Sequence, residues 1–333
     1  MRIAIIGAGA IGGSIAALLD RGGHDVAVTA RGAQLEAIRS DGLRLDGAWG
    51  EHIARPVVGE RLDRRPELAF VCTKAQDAAR AIEDNRHYLD GASVVVVQNG
   101  LAGVETADRL LPDSTCIGGI AVYAARFQEP GRISVTVSAN TYLGAGDGPP
   151  PALANEAAGI LAAVMPAVAV PNFTGCQWTK LIVNQVNAMP AITGLSAQET
   201  LGDRRLRRVI TASMREAVRV GIAAGVRFGS IQGLSDPTLR MLAGAGLAIG
   251  QVVPWAMGRR MGAVPNFGST LQSIRRGQPT EIDYLNGEIV RQAERIGAGA
   301  PINSLLTSLV HEVERTGTYF ERPEILRRFA VLK

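Results

Sequence analysis

Short apolar runs punctuate the first half of the chain, and longer mixed segments separate them. The runs are Arg2–Ile6, Val26–Thr29, Leu68–Cys72, Val94–Gln98 and Thr115–Val122. Several are apolar without alternation, the pattern of parallel strands covered on both faces. Between the first two, Ile11–Arg21 is rich in Ala and Leu and stops at Gly22-Gly23, which predicts a crossover helix. Strand, helix, strand in this order predicts an open parallel sheet. Leu43–Leu45 and His52–Val58 suit an antiparallel flap, and Arg132–Val137 with Thr141–Leu143 suit a later hairpin.

Gly144–Pro151 interrupts this rhythm, but an Ala-rich helix and another apolar run follow before Pro171. The domain boundary is therefore expected near Pro166–Phe173. Residues 1–168 form an α/β domain and residues 169–333 a mostly helical one. Helices are predicted at Gln177–Ala191, Arg204–Ala224, Asp236–Leu247, Glu281–Ile296 and Ile302–Thr316. No internal repeat is visible.

Composition narrows the function. A chain of 333 residues matches two domains at ~100–200 residues each. With 35 basic and 31 acidic side chains, the net charge of +4 is weak support for phosphate-backbone binding, and 5% aromatics argue against a base-stacking platform. The basic run Arg204-Arg205-Leu206-Arg207-Arg208, next to Asp203, reads as a solvated helix start. The three cysteines (Cys72, Cys116, Cys176) and four histidines (His24, His52, His87, His311) are scattered, so neither a zinc site nor a disulfide framework is expected. The longest apolar stretches fall short of the ~20 residues that span a bilayer. The amino terminus turns at once into glycines, without a signal peptide's long apolar region. The expectation is a cytoplasmic protein without a membrane partner.

Gly7-Ala8-Gly9-Ala10-Ile11-Gly12 is a G-x-G-x-x-G between a strand and a helix, the context that gives this motif meaning. The first glycine permits the turn, the second lets backbone approach a pyrophosphate, and the third lets helix pack on strand. The helix N-terminus favours the anion. A dinucleotide that carries a free 2′-hydroxyl is usually met by Asp or Glu at the end of the second strand. Here that strand ends Val28-Thr29-Ala30-Arg31, with a guanidinium and no acid. Arginine meets a phosphate bidentately, so NADP(H) is expected rather than NAD.

Lysine is scarce. Of the 35 basic residues 32 are Arg, and the lysines are Lys74, Lys180 and Lys333. Arginine cannot release a proton near neutrality and lysine can, so lysine in an arginine-rich chain marks a candidate proton donor. Lys74 follows the strand Leu68–Cys72, at the sheet edge where doubly wound folds bind ligands. Lys180 and Asn184 stand four apart on a predicted helix and share a face. Asn99, in Gln98-Asn99-Gly100, ends the Val94–Val97 strand.

These residues resemble the ketopantoate reductase (2-dehydropantoate 2-reductase) family. The resemblance runs from Gly7–Gly12 through Arg31, Thr73-Lys74-Ala75-Gln76, Gln98-Asn99-Gly100 and Gln128-Glu129-Pro130-Gly131-Arg132-Ile133. It continues at Trp178-Thr179-Lys180 with Asn184, at Ser269-Thr270-Leu271-Gln272, and at Thr280-Glu281-Ile282-Asp283-Tyr284-Leu285-Asn286-Gly287. It implies a Rossmann-type domain followed by an all-helical domain, in a 6-phosphogluconate dehydrogenase-like arrangement, and NADPH-dependent reduction of a 2-keto acid to pantoate. It also implies catalytic roles for Lys180, as general acid, and Glu281. Asn184, Asn266 and Ser269 become substrate contacts. Gly7, Gly9, Ala10, Ile11, Gly12, Arg31, Lys74 and Asn99 become cofactor contacts. Ala188, Gln198, Thr270 and Ser273 depart from the family pattern and leave the identity of the keto acid open. A reductase of another 2-keto acid and a silent NADP-binding regulator remain the alternatives. Read without the family, Thr280 and Asp283 fit a capping box, which puts Glu281 in the first turn of a helix. The apolar Leu239–Val253 stretch, rich in Gly and Ala, suits packing against a second copy or within its own domain, so a homodimer stays open.

Overall fold

The computed structural model describes residues 1–262 and 264–331; Lys333 lies outside the described residues. The chain divides into two compact units, Met1–Thr174 and Gly175–Lys333.

The first unit contains twelve strands: β1 (Arg2–Ile6), β2 (Asp25–Thr29), β3 (Leu43–Gly47), β4 (His52–Ala54), β5 (Val57–Gly59), β6 (Leu68–Val71), β7 (Ser93–Val97), β8 (Thr115–Ala121), β9 (Ala124–Glu129), β10 (Arg132–Val137), β11 (Thr141–Gly144) and β12 (Ala167–Ala169). Its helices are α1 (Ala10–Arg21), α2 (Gly32–Asp41), α3 (Ala75–Leu89), α4 (Gly103–Leu110) and α5 (Ala152–Ala162). The large sheet runs β12-β11-β8-β7-β6-β1-β2-β5, parallel except where β11 meets β8. This is a Rossmann-type sheet, and β1 lies between β6 and β2.

Alternate residues of β1 feed two cores, because successive side chains point to opposite faces. Ile3 and Ile5 pack with Ile15, Leu18 and Leu19 of α1. Ala4 and Ile6 pack with Ile82 and Leu89 of α3 and Leu110 of α4. The small sheet, β4-β3-β10-β9, joins the first of these cores through Leu43, Leu45, Ile133 and Val135.

Three sequence expectations are corrected here. His52–Val58 does not continue as one flap strand. β4 pairs antiparallel with β3, whereas β5 crosses to lie parallel to β2. Pro56 stands between them and cannot donate to a ladder. Arg132–Val137 and Thr141–Leu143 do not form a hairpin, because they belong to different sheets: β10 pairs with β9 and β11 pairs with β8. β9 reads Ala-Ala-Arg-Phe-Gln-Glu, half polar and half exposed, and so carries no apolar run. The domain boundary lies later than 168/169. β12 still pairs with β11, and Phe173 fills the space left by Gly118 and Gly144; a Cβ on Gly118 would stand 2.2 Å from the Phe173 ring.

The second unit is helical. It comprises α6 (Phe173–Asn184, which starts in the first unit), α7 (Ala188–Thr193), α8 (Ala197–Gly202), α9 (Arg204–Ala223), α10 (Asp236–Gly244), α11 (Leu247–Gly250), α12 (Val252–Arg260), α13 (Gly268–Arg275), α14 (Asn286–Arg295), α15 (Pro301–Thr316) and α16 (Arg322–Ala330). The long α9 buries Leu206, Val209, Ile210, Met214 and Val218. Its N-terminus is capped by Asp203, which accepts from the N–H groups of Arg205 and Leu206. Arg207 donates to the Leu201 carbonyl at 2.6 Å, so part of the basic run stitches α9 to α8. A buried polar knot of Ser213, Asn286 and Asn303 joins α9, α14 and α15. Burial pushes the Glu216 carboxyl up, although the Ile302 and Asn303 N–H groups at the start of α15 donate to it.

Candidate active site

In the first unit the candidate residues gather at the carboxyl edge of the parallel sheet. Gly7 follows β1 with φ +99°, a left-handed value, and a Cβ there would meet Thr73 Cγ2 at 2.8 Å. Its N–H donates to Thr29 Oγ1 at 3.0 Å, and that of Ala8 to the Thr29 carbonyl at 3.0 Å, which ties the glycine turn to the end of β2. A Cβ on Gly12 would stand 2.1 Å from the Gly7 carbonyl oxygen and 2.8 Å from Cys72 Cβ. Close packing of α1 therefore demands glycine at this position. Gly9 differs: it is exposed, and nothing lies within 4 Å of a Cβ built on it. Ala10 and Ile11 open α1, whose start carries no side-chain cap. A helix end leaves its first N–H groups without intrahelical partners.

Three neighbouring strand ends complete this edge. Gln98, after β7, donates to the Thr73 carbonyl at 2.9 Å, so the turns that carry Lys74 and Asn99 are linked. Arg31, after β2, sits at the N-cap of α2 with its side chain half exposed. Its guanidinium pairs with Asp84 of α3 at 2.9 Å, and Asp84 also takes Arg61 at 3.1 Å and Arg80 at 3.8 Å. Three guanidinium groups around one carboxylate leave net positive charge at the β2 tip. Arg61, Arg80 and Asp84 escaped the sequence reading, since only the tertiary fold brings them to Arg31. Gln34 was also missed. It donates to the Ala8 carbonyl at 2.8 Å and accepts from Gly131 N–H at 2.7 Å, which joins the glycine turn to the β9–β10 turn. That contact gives Gln128–Ile133 a physical role.

In the second unit, α6 carries both Lys180 and Asn184. Trp178 is buried beside them, and Thr179 donates to the Gly229 carbonyl at 2.7 Å, which fixes the helix. Lys180 is partly accessible, and desolvation lowers its ammonium from an ordinary 10.5 to about 8. Asn187 donates to Asn184 Oδ1 at 3.4 Å. Its own Oδ1 would stand 2.7 Å from a Cβ on Gly268, so the short 3-10 turn that follows α6 meets the start of α13, where Ser269 is exposed. Asn187, three residues after Asn184, is a polar group that helical spacing could have found.

Asn266 Oδ1 accepts from Gly268 N–H at 2.9 Å, which leaves its amide nitrogen to offer elsewhere. Gln198 is committed to holding that loop. It accepts from Asn266 N–H at 2.9 Å and donates to the Val264 carbonyl at 2.7 Å. Glu281 is half-buried on a separate element. The expected capping box does not form. Thr280 Oγ1 accepts from Ile282 N–H, a short 3-10 turn spans Ile282–Tyr284, and α14 begins only at Asn286. Glu281 therefore heads the 3-10 turn and does not lie in the first turn of a long helix.

Two family profiles match this chain: ketopantoate reductase PanE/ApbA over residues 3–148, and ketopantoate reductase PanE/ApbA C terminal over residues 172–314. The chain belongs to the ketopantoate reductase family. A 2-dehydropantoate 2-reductase from Archaeoglobus fulgidus is 29% identical over 318 residues, 94% of this chain and 98% of that protein. The crystal structure of a PanE/ApbA family ketopantoate reductase from Ralstonia eutropha JMP134 superposes with a TM-score of 0.80 at 27% identity, covering 95% of this chain and 99% of that one. D-mandelate dehydrogenase, in a ternary structure with NADH and anilino(oxo)acetate, shares the fold with a TM-score of 0.80 at 21% identity over 95% and 99% of the two chains. Ketopantoate reductases are oxidoreductases, and the matched regions contain every candidate residue named above. Among the described residues, no helix is long and apolar enough to cross a membrane.

Proposed function

We propose that this ketopantoate reductase family member reduces a 2-keto acid, 2-dehydropantoate foremost, with NADPH as donor. The observation that carries the reading is Lys180: a lysine in an arginine-rich chain, partly desolvated on α6, with an ammonium that releases its proton at about 8.

The first unit fits a dinucleotide. The open space at Gly9 and the uncapped start of α1 suit a pyrophosphate, held by the N–H groups of Gly9, Ala10, Ile11 and Gly12. Gly7 supplies the turn. Arg31, with Arg61 and Arg80 beside it, suits a 2′-phosphate, and Lys74 and Asn99 stand at the same edge. When bound, the nicotinamide supplies the hydride. Lys180 donates the proton that the developing alkoxide needs, and its cation stabilises that oxygen beforehand. Asn184, Ser269 and the amide nitrogen of Asn266 orient the acid through neutral hydrogen bonds. Glu281 provides the carboxylate of the site. A related reading, reduction of a different 2-keto acid, is favoured by Gln198, whose amide is used to hold Val264 and Asn266 and not offered to substrate.

NADPH oxidation measured with 2-dehydropantoate and a panel of 2-keto acids tests the proposal. The expected result is highest kcat/KM for 2-dehydropantoate. A better panel member moves the assignment to that acid, and no turnover with any of them overturns the enzymatic reading.

A further inference from the structure

The turn headed by Glu281 is gripped from both sides by one helix. Thr280 N–H, just before Glu281, donates to Glu314 Oε1 of α15 at 2.8 Å. Asp283, just after it, meets His311 Nε2 of α15 at 2.9 Å. His311 Nδ1 lies 2.7 Å from Glu314 Oε2, so the ring is closed: Thr280 N–H, Glu314, His311, Asp283. The capping box fails for this reason. Each of its two members has found a partner on α15.

Both imidazole nitrogens face carboxylate oxygens. Carboxylates only accept, and a neutral imidazole has one N–H, so only imidazolium satisfies both contacts. From outside its own helix, Asp283 is the charged group that reaches His311; from its own helix, Glu314 does. Arg315 stands one turn after His311 on α15, and the other charges on α15 and the helices packed against it have these partners. Glu312 binds Arg328 of α16, Glu288 of α14 binds Arg291, and Glu216 of α9 accepts from the start of α15. Burial pulls the His311 pKa down, but hydrogen bonds to Asp283 and Glu314 and their charges outweigh it, and the net direction is up.

We propose that His311 is a positioning residue whose protonated form clamps the Glu281 turn onto α15, so that handling of the keto acid weakens as His311 loses its proton. The catalytic side of this proposal rests on the reading of Glu281 as the site carboxylate; the clamp itself rests on the geometry alone. The sign follows from the raised pKa. The clamp is whole below the ordinary histidine pKa of 6.5 and fails as pH climbs through the higher folded value.

Two measurements on the full chain test it. NMR titration of the four histidines, with His311 assigned by His311→Gln, should show His311 titrating above the ordinary value, and Asp283→Asn should bring it down. Steady-state kinetics with the keto acid reduced fastest in the panel should show His311→Gln raising its KM by about 2–5-fold, the worth of a half-exposed charged contact, with NADPH affinity unchanged. The same variant should erase an ionisation from the pH profile, and His311→Lys, which keeps a cation, should restore KM without restoring that ionisation. A His311 titration indifferent to Asp283→Asn overturns the clamp. A wild-type KM and pH profile in His311→Gln overturns its link to the keto acid. Glu281→Gln at wild-type speed overturns the carboxylate assignment alone, since the titration still reports the clamp.

Discussion

Lys180 shows how one residue type can be informative because of the company it keeps. Its rarity among 32 arginines marked it in the sequence, but its lowered pKa is a property of burial that no sequence displays. As the proposed acid it must be protonated, so kcat/KM should fall as pH rises through about 8. Lys180→Ala should cut kcat by ~10²–10⁴ with little change in NADPH affinity, and Lys180→Arg should recover little, because arginine keeps the charge and not the proton. The opposite holds for stability. The folded state binds this proton less tightly than the unfolded chain, so stability rises with pH between about 8 and 10.5. Lys180→Met should therefore raise Tm at pH 7 while it cuts kcat as Lys180→Ala does; a lowered Tm would refute the desolvation account. At Arg31 the sequence showed a base without an acid, whereas the structure adds Asp84 in contact and Arg61 and Arg80 around it. Arg31→Ala should raise the KM for NADPH by ~10–100-fold and that for NADH much less, the loss of a charged contact of about 1.5–3 kcal/mol. Equal losses would remove the 2′-phosphate assignment. Since Asp84 lies on α3, 53 positions along the chain from Arg31, no local pattern could have revealed it.

The element scale explains why the motif needs three glycines of different kinds. Gly7 and Gly12 are required by the fold itself, one by its positive φ and the other by contact with the Gly7 carbonyl, whereas Gly9 is open. Gly9→Asp should leave the Tm of the free protein nearly unchanged and abolish the Tm rise caused by NADPH, because a carboxylate would repel the pyrophosphate. Gly12→Val should lower Tm in the free protein. Thermal scans with and without NADPH separate the two. The interior strand β1 behaves differently again: Ile5 is fully buried, and Ile5→Ala should cost about 2–5 kcal/mol of stability in a denaturant melt. Elements read correctly from sequence were those with one strong local signal, such as the unbroken apolar runs of β1 and β7 and the helical period of α9. Those misread were local patterns overruled from a distance. Thr280-Glu281-Ile282-Asp283 has capping-box chemistry, yet α15 offers Glu314 and His311 to its two ends. Arg132–Val137 and Thr141–Leu143 look like hairpin arms, yet each has a better neighbour in a separate sheet.

At the scale of the whole molecule, binding of NADPH to the native state alone should stabilise it by about 2.7 kcal/mol at a hundredfold excess over Kd, read as a concentration-dependent Tm. The chain's own composition already determined much of its character. Unbroken apolar runs require burial on both faces and hence a parallel sheet, and glycine spacing after the first strand permits a phosphate-binding turn. A near balance of charge disfavours a nucleic-acid surface. These are local or summed properties, legible without coordinates. Tertiary structure alone decided the rest: the late boundary set by Phe173 in the gap at Gly118 and Gly144, the three arginines around Asp84, the Gln34 bridge from Ala8 to Gly131, and the grip of α15 on the Glu281 turn. The physical reason is common to all four. Each depends on side chains far apart in sequence that meet only after the cores have formed, and hydrogen bonds and charges act over a few ångströms of space, whatever the number of residues between them.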